Sequence, residues 1–328
     1  MNEFDMIEKY FLPLTMGQAG PAGLRDDAAI LTVPAGRDLV VSSDTLNEGV
    51  HFLSGDTPEN IARKVIRVNL SDLAAMGADP LCYQLNLAFP ERPGTNWLER
   101  FTGALMENQK AYEIYCSGGD TTSILGGVMS ISVTVMGTVP SGKAVRRGGA
   151  KGGDLLVMTG PVGDAALGLK ILQERDFEKK AAMGQACPYA LQRCRRPEPR
   201  VDAAALVREY AHAAVDISDG VLADIGHICE ASGLGAYLSL GGFRYSKDVR
   251  HALREEYITI QDILGGGDDY ELALAVPERN VETLLEGLRK LNLSPFVAGV
   301  FESDISGVHV FDTDGFEVKI ETTGWVHF

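Results

Sequence analysis

The segment 129–135 constrains the fold most. Met129, Ile131, Val133 and Val135 alternate with Ser130, Ser132 and Thr134, which is the two-residue period of a strand with one apolar face. A strand of this kind needs hydrogen-bonded neighbours and a layer to cover its apolar side. It sits inside an uncharged stretch, 121–142, long enough to cross a membrane. The Ser, Thr and Gly content and the alternation identify that stretch as sheet instead. At roughly 150 residues per domain, 328 residues predict two domains. The boundary is expected in 142–154 (GKAVRRGGAKGGD), which is rich in glycine and charge and poor in apolar residues, giving domains 1–148 and 149–328.

The first half reads as a short amphipathic helix over 2–12, strands over 28–33 and 38–44, and a helix opened by Thr57-Pro58-Glu59 that runs to Met76 and stops at Gly77. A strand over 81–89, a helix over 96–112 and the strand over 129–139 follow. In the second half, strands are expected over 154–159, 213–217, 234–240, 270–276, 296–301 and 308–311. Helices are expected over 163–173, 201–210, 221–231 and 281–291, with 175–200 loosely helical. Strands and helices mix without strict alternation, so the class is α+β (mixed α/β).

Composition excludes several functions. With 45 acidic and 30 basic side chains the net charge is −15, the wrong sign for a surface that grips nucleic-acid phosphates. Five cysteines without C-x-x-C spacing argue against a disulfide or zinc framework. No signal peptide or membrane span is read, so the cytoplasm follows by elimination.

The chemistry concentrates in aspartates at the ends of apolar segments, most with small neighbours. They are Asp26-Asp27, Asp44 in VVSSDT, Asp72 in VNLSD, Asp120 in SGGDTT, Asp216 and Asp219 in VDISDG, and Asp268-Asp269 in LGGGDDY. Any one of them alone is more often a cap or turn residue, the ordinary role expected for Asp56 and Asp164. Several converging carboxylates would repel each other and require a cation. No His or Cys cluster accompanies them, so hard oxygen ligands favour Mg²⁺, which is commonly bound together with phosphates. That combination points to phosphoryl transfer. Residues 137–143 look like a P-loop, but Ala144 stands where the metal-binding hydroxyl belongs, and a turn is expected there. Arg146 and Arg147 could contact phosphate or be solvated linker charge, whereas Arg195, Arg196 and Arg200 read mainly as surface.

The motifs RDDAAIL, SSDTLNEGVHF, VNLSDLAAMGADP, GGDTT, VDISDG, GGGDDYEL and GWVHF, in this order, resemble the thiamine-monophosphate kinases of the aminoimidazole ribonucleotide synthetase-like superfamily. The resemblance spans nearly the whole chain. It implies ATP-dependent phosphorylation of thiamine monophosphate to thiamine diphosphate, a homodimer formed by the N-terminal sheets, and an active cleft served by both domains. By motif position, it implies Mg²⁺ ligands at Asp27, Ser42, Ser43, Asp44, Asp72, Asp120, Asp216 and Asp219. ATP contacts would be Gly119, Asp120, Arg147, Ser218 and Tyr112, and substrate contacts His51, Asp268 and Trp325. Two positions depart from the family pattern: Arg25 stands in place of a glycine, and Asp268 in place of a glutamate. Other reactions of the superfamily, and a non-enzymatic acidic metal-binding module, are the alternatives.

Overall fold

The computed structural model describes residues 3–320 and Gly324. Trp325 lies outside the described residues. The chain forms two compact units, one of residues 1–73 and 78–143, the other of residues 74–77 and 144–328.

The first unit opens with α1 (Glu3–Met6), a π turn (Ile7–Phe11) and a 3₁₀ turn (Leu12–Thr15), where a single helix is expected from sequence. It continues through β1 (Arg37–Asn47), α2 (Pro58–Ala75), β2 (Asp79–Phe89), α3 (Thr95–Tyr112), β3 (Tyr115–Ser123) and β4 (Ser130–Pro140). The sheet order is β1-β4-β2-β3, with β1 and β2 antiparallel to β4, and β3 parallel to β2 through the α3 crossover. Alternation in β4 buries Ile131, Val133 and Val135 on one face, beside Leu85 and Leu87 of β2. The helices cover that face. Trp97 of α3 meets Phe89 of β2 edge-on at 5.4 Å and stacks on Phe101 at 4.7 Å. The α2 start is as expected: the Asn60 N–H reaches Thr57 Oγ1 at 3.4 Å, and Gly77 takes the positive φ of 65° that ends the helix.

Two expectations fail in this unit. Residues 28–33 form no strand; Ile30 is 80% exposed, and its N–H donates to the Gly20 carbonyl at 3.0 Å across a loop. An apolar run without an adjacent ladder has nowhere to pair. Conversely, β3 (YCSGGDTTS) has glycines and no apolar alternation, yet it pairs along β2 from Cys82 to Phe89. The P-loop-like segment is the end of β4 followed by a turn, in which the Asp38 carboxylate accepts bonds from Ser141 Oγ (2.9 Å) and the Gly142 N–H (2.8 Å).

The second unit comprises β5 (Leu155–Met158), α4 (Asp164–Gln173), α5 (Phe177–Ala186), α6 (Pro188–Arg195), α7 (Ala204–Tyr210), β6 (Ala213–Asp216), α8 (Val221–Ser232), β7 (Gly235–Ser239), α9 (Lys247–Arg254), α10 (Ile260–Gly265), β8 (Leu272–Val276), α11 (Glu278–Lys290), β9 (Phe296–Glu302) and β10 (Gly307–Phe311). Its six-stranded sheet has the order β10-β7-β9-β5-β8-β6 and is antiparallel except for β10 with β7. Both faces are buried. Leu156, Met158, Ala213, Val215, Ala273 and Ala275 belong to one core. Val157, Ala214, Leu272, Leu274 and Val276 join Leu284, Leu285 and Leu288 of α11 in the other. Burial on both sides explains why these strands are almost uniformly apolar. No described helix is long and apolar enough to cross a membrane.

Candidate active site

In the first unit, β1 presents Val40, Ser42, Asp44 and Leu46 to one side and Leu39, Val41, Ser43 and Thr45 to the other. Helix α2 meets the first side. Ser42 Oγ donates to Asp72 Oδ2 at 2.6 Å, and Asn69 Oδ1 accepts the Asp44 N–H at 3.1 Å. Asn69 and Asp72 are three residues apart and so share a helix face. Asn69 is fully buried and anchored by its amide to Val65 O at 2.9 Å. Ser42, Asp44 and Asp72 are therefore brought together. Ser43 is not; its hydroxyl lies on the opposite face, against Val133 O (3.2 Å) and Thr134 Oγ1 (2.9 Å). His51 occupies the turn after β1, where its Nδ1 accepts the Asn47 N–H at 3.0 Å.

A pocket of about 310 Å³ lies beside β2 and β3, lined by Asp26, Asp27, Asn86, Gly119 and Asp120 among others. Gly119 lets β3 pack closely on β2, because a Cβ there would collide with the Leu85 carbonyl. The neighbouring carboxylates fold back on their own chain: Asp26 Oδ1 accepts the Asp27 N–H at 3.0 Å, and Asp120 Oδ1 accepts the Thr121 N–H at 2.8 Å. Arg25 sits at φ −115°, ψ 0°, which any residue adopts, so the missing family glycine costs no backbone strain. Its guanidinium lies 3.9 Å from Glu8 in an exposed pair. Tyr112 does not line this pocket; it ends α3, with Arg67 5.8 Å above its ring.

In the second unit, two loops interlock at the end of β6 and the start of β8. Asp268 N–H donates to Ser218 O and Tyr270 N–H to Ile217 O, both at 2.8 Å. Gly267 packs so tightly on Ser218 O that a side chain could not fit. Asp224 of α8 folds the other loop: its Oδ2 accepts the N–H groups of Ser218 (3.0 Å), Asp219 (3.1 Å) and Gly220 (3.1 Å). Burial pushes the Asp224 carboxyl up to about 7. Asp216, Ser218, Asp219 and Asp268 thus belong to one pair of loops. Gly324 packs against Ala223 and the Asp219 carbonyl, placing the residue before Trp325 at the same loops. Arg147 is exposed in the loop after β4, and its carbonyl accepts Ser232 Oγ at 3.5 Å.

Asp269 turns away from Asp268. It is buried, its carboxylate accepts the Gly163 (2.7 Å) and Ala165 (3.2 Å) N–H groups at the start of α4, and burial pushes its carboxyl up to about 7. Beneath it, Glu271 is clasped by Arg193 Nη2 at 3.2 Å and by Arg200. The surface reading of Arg200 is corrected here: only 12% of its side chain is exposed. Asp56 has the ordinary role expected of it, accepting the Leu53 N–H at 2.9 Å. Asp164 is buried, bonded by Ser246 Oγ at 2.6 Å, and burial raises its carboxyl to about 6. Asn69, Asp224 and Arg193 are the residues that sequence reasoning missed. For the first two the signal was position alone, three residues before Asp72 and five after Asp219.

The donors are carboxylate, hydroxyl and amide oxygens, which suit a hard cation. Among the described residues no three His, Cys, Asp or Glu side chains form a metal cage. Pairs such as Ser42 with Asp72 instead match Mg²⁺, which takes one or two carboxylates and fills its remaining positions with water and substrate phosphate.

Comparison with known proteins decides the family. The sequence profiles of the N-terminal and C-terminal domains of AIR synthase related proteins match residues 25–139 and 151–310. The thiamine-monophosphate kinase of Escherichia coli K12 is 38% identical over 329 residues, covering 100% of this chain and 98% of the relative. The chain belongs to the thiamine-monophosphate kinase family. The crystal structure of the Stenotrophomonas maltophilia thiamine-monophosphate kinase superposes with a TM-score of 0.83 at 36% identity, covering 97% of this chain and 98% of that one. AaThiL complexed with AMPPCP and TMP superposes at 0.76 with 29% identity, covering 99% of this chain and 97% of that one. As in other thiamine-monophosphate kinases, the enzyme is a phosphotransferase of two-domain α+β architecture. Its motif aspartates lie within β1 (Asp44), β3 (Asp120) and α2 (Asp72), at the end of β6 (Asp216), and in loops (Asp27, Asp219 and Asp268), so the strand-end placement expected from sequence holds for Asp216 and not for Asp44, Asp72 or Asp120.

Proposed function

We propose that this kinase transfers the γ-phosphoryl group of ATP directly, in line, to the phosphate of thiamine monophosphate. A bond forms between the acceptor phosphate oxygen and the γ-phosphorus, the bond from that phosphorus to the β-bridging oxygen breaks, and thiamine diphosphate and ADP result. The acceptor oxygen is already ionised at neutral pH, so no protein base is required and none is assigned. Bringing two anions together is the main obstacle. Mg²⁺ held by Asp27, Ser42, Ser43, Asp44, Asp72, Asp120, Asp216 and Asp219 would supply the neutralising charge, Ser43 through its main chain because its hydroxyl faces away. Gly119 and Asp120 line the pocket beside β3 and are assigned to ATP. Arg147 offers a planar guanidinium to phosphate oxygens, and Ser218 and Tyr112 complete the ATP contacts. His51, Asp268 and Trp325 are assigned to thiamine monophosphate.

The observation that carries this reading is the row of oxygens fixed between β1 and α2, with Ser42 bonded to Asp72 and Asp44 tied to Asn69. The comparison with AaThiL, a complex with AMPPCP and TMP, supports the substrate pair. A coupled assay for ADP release over a panel of phosphorylated acceptors tests it. Release with thiamine monophosphate and Mg²⁺, and no release with ribonucleotide acceptors, is expected; the reverse preference would overturn the reading.

We further propose that the enzyme is a homodimer joined through the N-terminal sheets. β1 is an edge strand whose outer face carries Leu39 (43% exposed) and Val41 (53% exposed). An apolar edge is a template for a second copy unless it is covered. Light scattering should give twice the chain mass, and Val41→Glu should give a monomer that keeps its circular dichroism. A wild-type monomer would refute the pairing.

A further inference from the structure

The strained loop of the second unit assigns a new role to Tyr270. Asp268 and Tyr270 have φ of 70° and 52°, a region that non-glycine residues rarely occupy. Such strain persists only where the surroundings over-determine it, and it concentrates at functional sites. Here the surroundings are specific. Both N–H groups are captured by the 217–218 backbone, and Asp269 between them is drawn to the start of α4. Arg193 Nη2 grips the Asp269 carbonyl at 2.6 Å. The double left-handed turn brings the side chains at 268 and 270 back toward each other, and Tyr270 Oη donates to Asp268 Oδ1 at 3.0 Å. Tyr270 is 8% exposed, so its ring is fixed by packing.

We propose that Tyr270 is a positioning residue, whose hydroxyl holds the Asp268 carboxylate in the one rotamer that engages thiamine monophosphate; this rests on the assignment of Asp268 to that substrate. The substrate carries a cationic ring and an amino group, both of which suit a carboxylate. The hydroxyl fixes one oxygen of the carboxylate. Without it the carboxylate loses a contact that fixes its rotamer, and binding would carry more of the cost of ordering it. Ser218, assigned to ATP, meets Asp268 through a backbone hydrogen bond that involves neither side chain of this pair, and Tyr270→Phe leaves that bond in place.

The test is Tyr270→Phe, which removes one oxygen and keeps the ring, alongside Asp268→Ala and the double variant, all in the full-length protein. Calorimetric titration with thiamine monophosphate, in the absence of ATP, reads binding; steady-state kinetics reads KM for each substrate and kcat. Tyr270→Phe is expected to weaken thiamine monophosphate binding and raise its KM about 5-fold to 10-fold, the scale of one lost hydrogen bond. KM for ATP should stay at the wild-type value. In the Asp268→Ala background, Tyr270→Phe should add nothing, because the two act as one unit. If Asp268→Ala loses affinity and Tyr270→Phe does not, the positioning role is wrong while the assignment of Asp268 stands. If neither loses affinity, the assignment of Asp268 falls as well. Equal losses for ATP and thiamine monophosphate would mark Tyr270 as merely structural and overturn the proposal.

Discussion

Asp72→Asn lowers kcat by about 10²–10³-fold or more, the scale found when one electrostatic contact to a transition state is removed, and leaves far-UV circular dichroism unchanged. Asparagine has the shape of aspartate and still offers an oxygen to Ser42 Oγ, which now bonds to Asp72 Oδ2 at 2.6 Å. What disappears is the negative charge facing β1. Asp219→Asn should behave alike from the second unit, since its backbone stays fixed by Asp224 whatever the side chain carries. The measurement is ADP release at saturating ATP and thiamine monophosphate, with Mg²⁺ varied. A rise in the Mg²⁺ requirement should accompany the fall in turnover. Near-normal turnover in both variants would remove the carboxylates from the mechanism.

Glu271→Ala destabilises the protein by about 3–5 kcal/mol, because removing one partner of a buried ion pair leaves the other charge uncompensated. Glu271 has 2% of its side chain exposed and faces Arg193 (3%) and Arg200 (12%). Its other bonds are also internal, with Thr159 Oγ1 donating to it at 2.7 Å. Burial pushes this carboxyl up, but the two guanidinium groups outweigh burial and hold it below its ordinary value. A depressed carboxyl contributes stability at neutral pH that is lost as the solution is acidified through its folded-state pKa. Thermal unfolding at pH 7 should show the transition of the second unit lowered on the order of 10 °C. Glu271→Gln should cost less, since it keeps an oxygen for Arg200. An unchanged midpoint in Glu271→Ala would show that the cluster contributes nothing net.

Much of this architecture was legible in the residues, for reasons that can be named. Helix α2 announced both ends, with Thr57-Pro58 at its start and Gly77 after its close. β4 declared its buried face by alternation. The strand over 28–33 was wrongly expected because apolar content cannot supply a neighbouring strand. β3 was missed for the opposite reason: glycines and threonines with little propensity are held extended by the ladder of β2. Helices α9 and α10 were also missed, although their caps stand in the sequence. Ser246 accepts the Val249 N–H, and Thr259 with Asp262 forms a capping box. Of the site, the aspartates were readable as a set, but the face each one presents was not. Ser42 and Ser43 are adjacent in sequence and lie on opposite sides of β1. Arg200 read as surface because nothing in a linear string shows that Glu271 lies beneath it.

The strand order of the second sheet governs when this protein can assemble during translation. β5 is that sheet's first strand to leave the ribosome, yet its partners are β8 and β9, with Met158 paired to Phe296. At cellular elongation rates the gap between them is on the order of ten seconds. Throughout that interval the apolar segment Leu155–Met158 emerges without a mate, while the ladder of the first sheet closes with Pro140. Nascent chains stalled in this window are therefore the ones that should recruit chaperones.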